Sequence, residues 1–296
     1  MLTFLERLQA RQILVSDGAT GTNLQQRGLD RGTPSERWVL ENPAQIVRLH
    51  RDFVAAGSDI ILTSTFGATT IRLDHAGLAG RSADINRAAV DLARQAVAGT
   101  GALVGGSIGP TGQLLKPLGP LDEEAACAAF ADQAKVLSDA GVDLLVIETQ
   151  FDLAEAKVAI RAVRSVTQVA LVVSFSYDRG TRTMMGVRPS VMASELAGLG
   201  VDVLGINCGR SLEDNRKALA ELRSATQLPI WFKPNAGLPV LDEAANPTYT
   251  VSPEQMGAEV PLWIAAGAQV VGGCCGTSPE HLAAIARAAK EIRTSF

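Results

Sequence analysis

Three of the four cysteines have neighbours that suggest chemistry. Cys208 closes the segment GINCG, and Cys274 and Cys275 stand side by side in GGCCG. If the fold brought them together, three thiolates with an open fourth position would form a plausible zinc site, since Zn²⁺ favours tetrahedral sulfur and nitrogen ligands and a catalytic site leaves one corner free. Gly272, Gly273 and Gly276 allow the turn that aims adjacent side chains at one ion. The plainer alternative for Cys274-Cys275 is a buried thiol beside a strained or vicinal disulfide partner. Three thiolates outweigh a divalent ion, so the centre would activate water poorly. It would hold an exchangeable fourth thiolate well, deprotonated yet still nucleophilic. The chemistry this suggests is S-alkylation of a thiol substrate, with metal-assisted hydrolysis as the less favoured alternative. Cys127, inside AACAAF, reads as a core cysteine of a helix.

Asp17 and Glu148 are candidates to receive a substrate ammonium group through charge-assisted hydrogen bonds. The competing readings are an Asx cap for Asp17 and a partner to a neighbouring Lys or Arg for Glu148. Thr65, Phe66, Ser107, Asn207 and Asn235 occupy comparable places and are assigned to the substrate-binding rim. The turns GATGTN and GPTG offer backbone N–H groups suited to a carboxylate or phosphate. His50, His75 and His281 fall in helical stretches, where surface or capping roles are commoner than catalysis. Trp38, Phe66, Phe151, Tyr177 and Trp231 could line a pocket, but core packing is the better reading of each.

These residues converge only if the chain places them so. Short apolar, β-branched runs at 13–19, 59–65, 102–108, 142–149, 169–177, 201–208, 229–234 and 268–274 alternate with amphipathic stretches such as 84–98. Asp122, Ser211 and Ser278-Pro279 mark helix starts. AAGSDI, DAGVDL, GLGVDV and AAGAQV repeat one junction, a glycine that ends a helix followed by the polar opening of a strand. Eight such units without a composition shift argue a single (β/α)8 TIM barrel over residues 1–296, an α/β fold. A doubly wound open sheet is the runner-up, weakened by the lack of a GxGxxG turn after the first strand. In a barrel, reactive groups gather at the C-terminal ends of the strands. The candidate residues lie at those ends, and closure sets the eighth strand beside the first and two places from the sixth. Residues 239–253 read as a loop insertion after strand seven.

The composition limits the partners. The 296 residues carry 27 Lys+Arg against 31 Asp+Glu, a formal charge of -4, with 47% hydrophobic residues. Such a chain folds rather than staying disordered, and it lacks the basic excess that neutralises nucleic-acid phosphates. The uncharged run 260–279 contains glycines and prolines that break it up, so no membrane span is expected. The N-terminus reads as an amphipathic helix rather than a signal peptide. Four cysteines are too few for a disulfide scaffold, which points to a reducing cytoplasm.

The motifs DGATGTNLQQRG, DIILTSTFGAT, GSIGPTG, IET, GINCG, KPNAG and GGCCGTSPEHL occur in order between about Leu14 and Ala289. Together they resemble the zinc-dependent homocysteine S-methyltransferase family, which includes the homocysteine-binding module of cobalamin-dependent methionine synthase and the betaine–homocysteine methyltransferases. The pairing of GINCG with GGCCGTSPEH is its most specific part. The resemblance implies a (β/α)8 barrel with Cys208, Cys274 and Cys275 as zinc ligands, one zinc per chain. It implies homocysteine as the fourth ligand, with Asp17 and Glu148 at its site and Glu148 on its amino group. Attack of the thiolate on a methyl group would give methionine. The donor would be a betaine-type onium compound or a methylated corrinoid, with methylcobalamin supplied in trans by a corrinoid protein. Gly67 and Thr149 stand where the animal betaine enzymes carry tyrosines, a departure from an aromatic betaine cage. The alternative is a homocysteine- and zinc-binding subunit that serves a separate corrinoid protein without turnover of its own.

Overall fold

The computed structural model describes residues 2–241 and 247–293. Eight strands form one parallel sheet: β1 (Leu14–Val15), β2 (Ile60–Leu62), β3 (Leu103–Ile108), β4 (Leu144–Gln150), β5 (Ala170–Phe175), β6 (Val203–Cys208), β7 (Ile230–Pro234) and β10 (Ala268–Val271). Strands β8 (Pro239–Leu241) and β9 (Pro247–Tyr249) form a separate antiparallel hairpin. The sheet order is β1-β10-β7-β6-β5-β4-β3-β2, and a parallel bridge from Ser16 to Ile60 joins its two edges. This is the expected (β/α)8 barrel.

Two apolar layers hold it. Inside lie Leu14, Ile60, Leu62, Leu103, Leu144, Val146, Val172, Val203, Trp231 and Val270, closed at the base by Phe4 and Leu8 of the N-terminal helix Phe4–Gln9. Outside, alternate strand residues such as Val15, Ile61, Val104 and Leu145 pack against the helices. Period-two alternation of a fully buried strand produces this division. Trp231 fits inside because Gly205 has no side chain; a Cβ there would come within 2.9 Å of the Trp231 Cβ.

The recurring Gly-x-Asp junction has a physical basis. Gly57, Gly141 and Gly200 adopt positive φ at helix ends. Two residues on, Asp59, Asp143 and Asp202 accept hydrogen bonds from Val15 N–H (2.8 Å), Val104 N–H (2.7 Å) and Leu171 N–H (2.8 Å). Each aspartate thus pins the start of its strand to the preceding strand and sets the register.

The strands end sooner than their composition suggests. β1 stops at Val15 because the chain then bends, leaving Ser16 with a single bridge. Three helices, Thr20–Gln26, Ser35–Glu41 and Pro43–Ala55, follow β1 where one was expected. Ser211 caps its helix by accepting from Asp214 N–H, whereas Asp122 holds the N-cap place but pairs with Lys116 at 2.7 Å instead. The insertion at 239–253 is not all loop, since it contains the β8–β9 hairpin; residues 242–246 lie outside the described residues. The uncharged run resolves into the end of helix Pro253–Ala265, strand β10 and the turn before helix Pro279–Arg293. Among the described residues no helix is long and apolar enough to cross a membrane.

Candidate functional site

At the C-terminal end of the barrel the three cysteines meet. Cys208 Sγ lies 2.9 Å from Cys274 Sγ and 4.0 Å from Cys275 Sγ, and all three sulfurs fall within 4.8 Å of one another. Cys208 is the last residue of β6, and Cys274 and Cys275 lie in the turn after β10. Cys208 has φ 58°, a left-handed conformation uncommon for a side-chain-bearing residue and costing about 1–3 kcal/mol. The surroundings hold it there. Asn215 Nδ2 donates to the Cys208 carbonyl at 2.7 Å. Asn235 Nδ2 donates to the Gly209 carbonyl at 2.9 Å, and Asn235 Oδ1 accepts from Cys275 N–H at 2.9 Å. Asn235 therefore ties the Cys208 turn to the Cys274-Cys275 turn. The hydrogen bond between Cys208 and Cys274 pushes the Cys208 thiol up and the Cys274 thiol down. Lys233 and Asn207 act on Cys274 in the same downward direction.

A cavity of about 310 Å³ opens over the sulfurs, lined by Cys208, Cys274, Cys275, Glu148, Ser107, Phe66, Lys233 and the start of helix Thr20–Gln26. Glu148 is buried, and Ser107 Oγ donates to its Oε1 at 2.5 Å. Burial pushes its carboxyl up to about 7 despite the nearby Lys233 ammonium, with the Cys274 thiolate acting in the same direction as burial. The Phe66 ring forms one wall, and its place is fixed on both sides. Gly109 N–H donates to the Phe66 carbonyl at 2.8 Å, and Gly67 N–H donates to the buried Glu36 Oε1 at 2.5 Å.

Asp17, Thr65, Asn207 and Asn235 stand behind this lining. Asp17 Oδ1 accepts from Lys233 Nζ at 2.7 Å, and its Oδ2 accepts from Leu62 N–H at 2.8 Å. Thr65 Oγ1 donates to the Ser107 carbonyl at 2.7 Å. Asn207 Oδ1 accepts from Thr149 N–H at 2.8 Å and from Ser174 Oγ. Its Nδ2 donates to Thr149 Oγ1 at 2.7 Å and lies 3.7 Å from Cys274 Sγ. Thr149 itself has φ 61°, so Asn207 braces a left-handed residue next to Glu148 while touching the sulfur centre.

Several expectations meet competing partners. The GPTG turn does bind a carboxylate, but it is the protein's own: Thr111 N–H and Oγ1 both donate to Glu155 Oε1, at 2.7 and 2.6 Å. Tyr177 and Trp231 are core residues, and Trp38 packs against the core. Of the five aromatics singled out, Phe66 lines the cavity. Cys127 packs against the outer layer, as expected. His281 Nδ1 bonds Ser278 at the start of its helix and its Nε2 lies 2.9 Å from the Val251 carbonyl. His50 is buried, and burial pushes its imidazole down to about 4.

Lys233, the first residue of KPNAG, lines the cavity although the sequence assigns it no role. Its signal was strand parity. Trp231 points into the barrel, so Lys233, two residues on, points the same way at the mouth.

Comparison with known proteins agrees with this geometry. The sequence profile of the family described as homocysteine S-methyltransferase matches residues 14–289. The chain is 30% identical over 301 residues to methionine synthase of Mycobacterium tuberculosis, covering 96% of this chain and 25% of that protein. Methionine synthase of Mycobacterium leprae is also 30% identical, over 94% of this chain and 24% of its own length. The chain thus spans about a quarter of these curated relatives. Among solved structures, the metallated form of the homocysteine methyltransferase MmuM from Escherichia coli superposes with a TM-score of 0.80 at 30% identity, covering 95% of this chain and 97% of that one. A methyltransferase from Methanosarcina mazei, with TM-score 0.65 and 14% identity, shares the fold. By the extent of the profile match and these relatives, the chain belongs to the homocysteine S-methyltransferase family.

Proposed function

We propose that the chain is a zinc-dependent homocysteine S-methyltransferase that converts the thiol of homocysteine to the thioether of methionine. The observation that carries this reading is the meeting of Cys208, Cys274 and Cys275 beside Glu148 at the floor of one cavity. The donor set fits zinc. Zn–S bonds of about 2.3 Å in a tetrahedron place sulfurs roughly 3.8 Å apart, and the separations of 2.9 and 4.0 Å, with all within 4.8 Å, bracket that value. That the Escherichia coli relative has a metallated form supports a metal here. When bound, zinc would keep the substrate thiol deprotonated near neutral pH while leaving its sulfur nucleophilic.

The protein's own residues supply orientation. Glu148 receives the α-ammonium group, which favours its ionised form; Ser107 and the Asn207–Thr149 brace fix its direction. Phe66 provides an apolar wall that keeps water from the sulfur. Asp17, Thr65 and Asn235 act from behind the lining, through Lys233, Ser107 and the Cys275 turn. In the transfer a new bond forms between sulfur and the methyl carbon, and the bond to the donor breaks with its electron pair leaving on the donor. A betaine-type donor would need aromatic faces around its charge; Phe66 lines the cavity, and the Tyr249 ring packs on Gly276 beside Cys275 and bonds Thr22 of the same lining. The donor is a betaine-type onium compound held at these two rings or a methylated corrinoid presented by a separate protein. A second reading is a homocysteine-binding subunit that serves a separate corrinoid protein without turnover of its own. Reduced thiols at the centre suit a cytoplasmic location.

The test is to incubate zinc-loaded protein with homocysteine and, separately, betaine, S-methylmethionine and methylcobalamin, with methionine as the readout. Methionine from any donor supports the enzyme. Homocysteine binding without turnover from every donor, including a methylated corrinoid protein, supports the subunit. No thiol binding at all overturns both.

A further inference from the structure

The three cysteines are not held alike. Cys208 ends β6 itself, and its carbonyl accepts from Asn215 Nδ2 at 2.7 Å and from Asn235 N–H at 3.2 Å. Cys274 is joined to the barrel, its N–H donating to the carbonyl of Pro234 at the end of β7 at 2.9 Å, while its own carbonyl accepts from Thr277 Oγ1 at 2.7 Å. Cys275 lies one step farther out. Its N–H donates to Asn235 Oδ1 and its carbonyl accepts from Ala236 N–H, both at 2.9 Å. Both partners belong to the chain that leaves β7, so the third sulfur rests on a loop rather than on a strand.

Tyr249 covers that turn. After β9 the chain returns to the loop, where Val251 N–H donates to the Ala236 carbonyl at 3.1 Å and the His281 ring lies 2.9 Å from the Val251 carbonyl. The return brings Tyr249, half-buried at the end of β9, over Gly276, the residue after Cys275. Gly276 has φ 80°, and a Cβ there would run into Cγ, Cδ1 and Cδ2 of the ring, so the glycine serves both the turn and the contact. The Tyr249 hydroxyl hydrogen-bonds Thr22, whose Oγ1 also accepts from Gly276 N–H at 3.4 Å. Thr22 belongs to the helix start that lines the cavity. Tyr249 thus joins the loops after β1, β7 and β10, with Cys275 next to the junction. A metal held by three separate ligands is released stepwise, and the first to swing away is the one whose backbone is least fixed.

We propose that Tyr249 is a positioning residue of the metal centre: its ring and hydroxyl hold the Cys275 turn against Thr22 and so set the rate at which zinc is lost from the site. This rests on the zinc reading above. In this role Tyr249 touches neither the metal nor the substrate; it acts through Gly276 and Thr22.

The test needs no methyl donor. Zinc-loaded wild type, Tyr249→Phe, Tyr249→Ala and Val240→Ser are mixed with an excess of a chromophoric zinc chelator, after zinc content is measured, and release is followed by absorbance. Val240, exposed on β8, controls for a general loosening of the hairpin. Loss of a partly buried aromatic contact and one hydrogen bond corresponds to roughly tenfold in a local opening equilibrium. Tyr249→Ala should therefore release zinc about tenfold faster than wild type, and Tyr249→Phe, which keeps the ring, about threefold faster or less. Val240→Ser should release it as wild type does, and the metal-free melting temperatures of all four proteins should agree within about 2 °C. A Tyr249→Ala protein that keeps its melting temperature but holds no zinc would be the same result at its limit. Unchanged release from Tyr249→Ala overturns the proposal. So does equal acceleration in Val240→Ser, or loss of zinc matched by a fall in melting temperature, either of which would make Tyr249 a support of the hairpin alone. A wild type that takes up no zinc would instead sink the zinc reading.

Discussion

Replacing Glu148 by Gln should make the substrate-free protein more stable and its substrate binding worse. Burial raises the Glu148 carboxyl from 4.5 to about 7, a difference of roughly 2.5 units at about 1.36 kcal/mol each. The sign follows from proton binding. Between 4.5 and 7 the folded state holds a proton that the unfolded chain has released, so stability declines as pH rises through that window, and the full penalty applies above about 7. Gln resembles the protonated form and can still accept from Ser107. The variant should therefore exceed wild type by up to about 3 kcal/mol at pH 8, and this advantage should shrink toward zero as pH falls to about 4.5. For a chain of this length that is on the order of 5–10 °C in melting temperature. Denaturant unfolding at several pH values, paired with homocysteine titration, measures both effects. A variant less stable than wild type at pH 8, or one that binds homocysteine as wild type does, would refute the assignment of Glu148 as a strained carboxylate kept for the substrate.

Cys208→Ser should lower bound zinc well below one per chain, measured by elemental analysis, and abolish thiol alkylation while far-ultraviolet circular dichroism stays unchanged. Asn207→Ala removes the brace from Thr149 N–H and Ser174 together and should cost about 2–4 kcal/mol in denaturant unfolding. His50 is held neutral, its imidazole pushed from 6.5 to about 4 by burial. The unfolded chain then takes up a proton that the folded state refuses, and stability is lost as pH falls from about 6.5 to 4. His50→Leu should flatten that part of the pH–stability curve by about 2–3 kcal/mol.

The meeting of Cys208 with Cys274 and Cys275 could be read from the chain because it depends on two coarse properties, the eight-fold alternation and the rule that strand ends share a face. Neither needs side-chain detail. Glu148 was legible for the same reason, as a lone charge closing the apolar run LLVIE. Lys233 needed a finer step, since its inward direction follows from Trp231 only once the strand's parity is fixed. The partners of Asp17 were out of reach. Lys233 lies 216 residues away, and no local pattern announces the pair. The GPTG turn misled because a glycine-rich nest looks the same whether its carboxylate is a substrate or Glu155 of the neighbouring helix. The early end of β1 and the β8–β9 hairpin depend on how the chain bends after its last paired residue, which composition does not record.

Zinc-edge X-ray absorption on the purified, zinc-loaded protein, before and after homocysteine is added, bears most directly on the central claim. Three sulfurs at about 2.3 Å should become four when the thiol binds, with the Cys208→Ser variant showing no such centre. A protein that retains no zinc, or a sulfur count that does not change with homocysteine, would contradict the account.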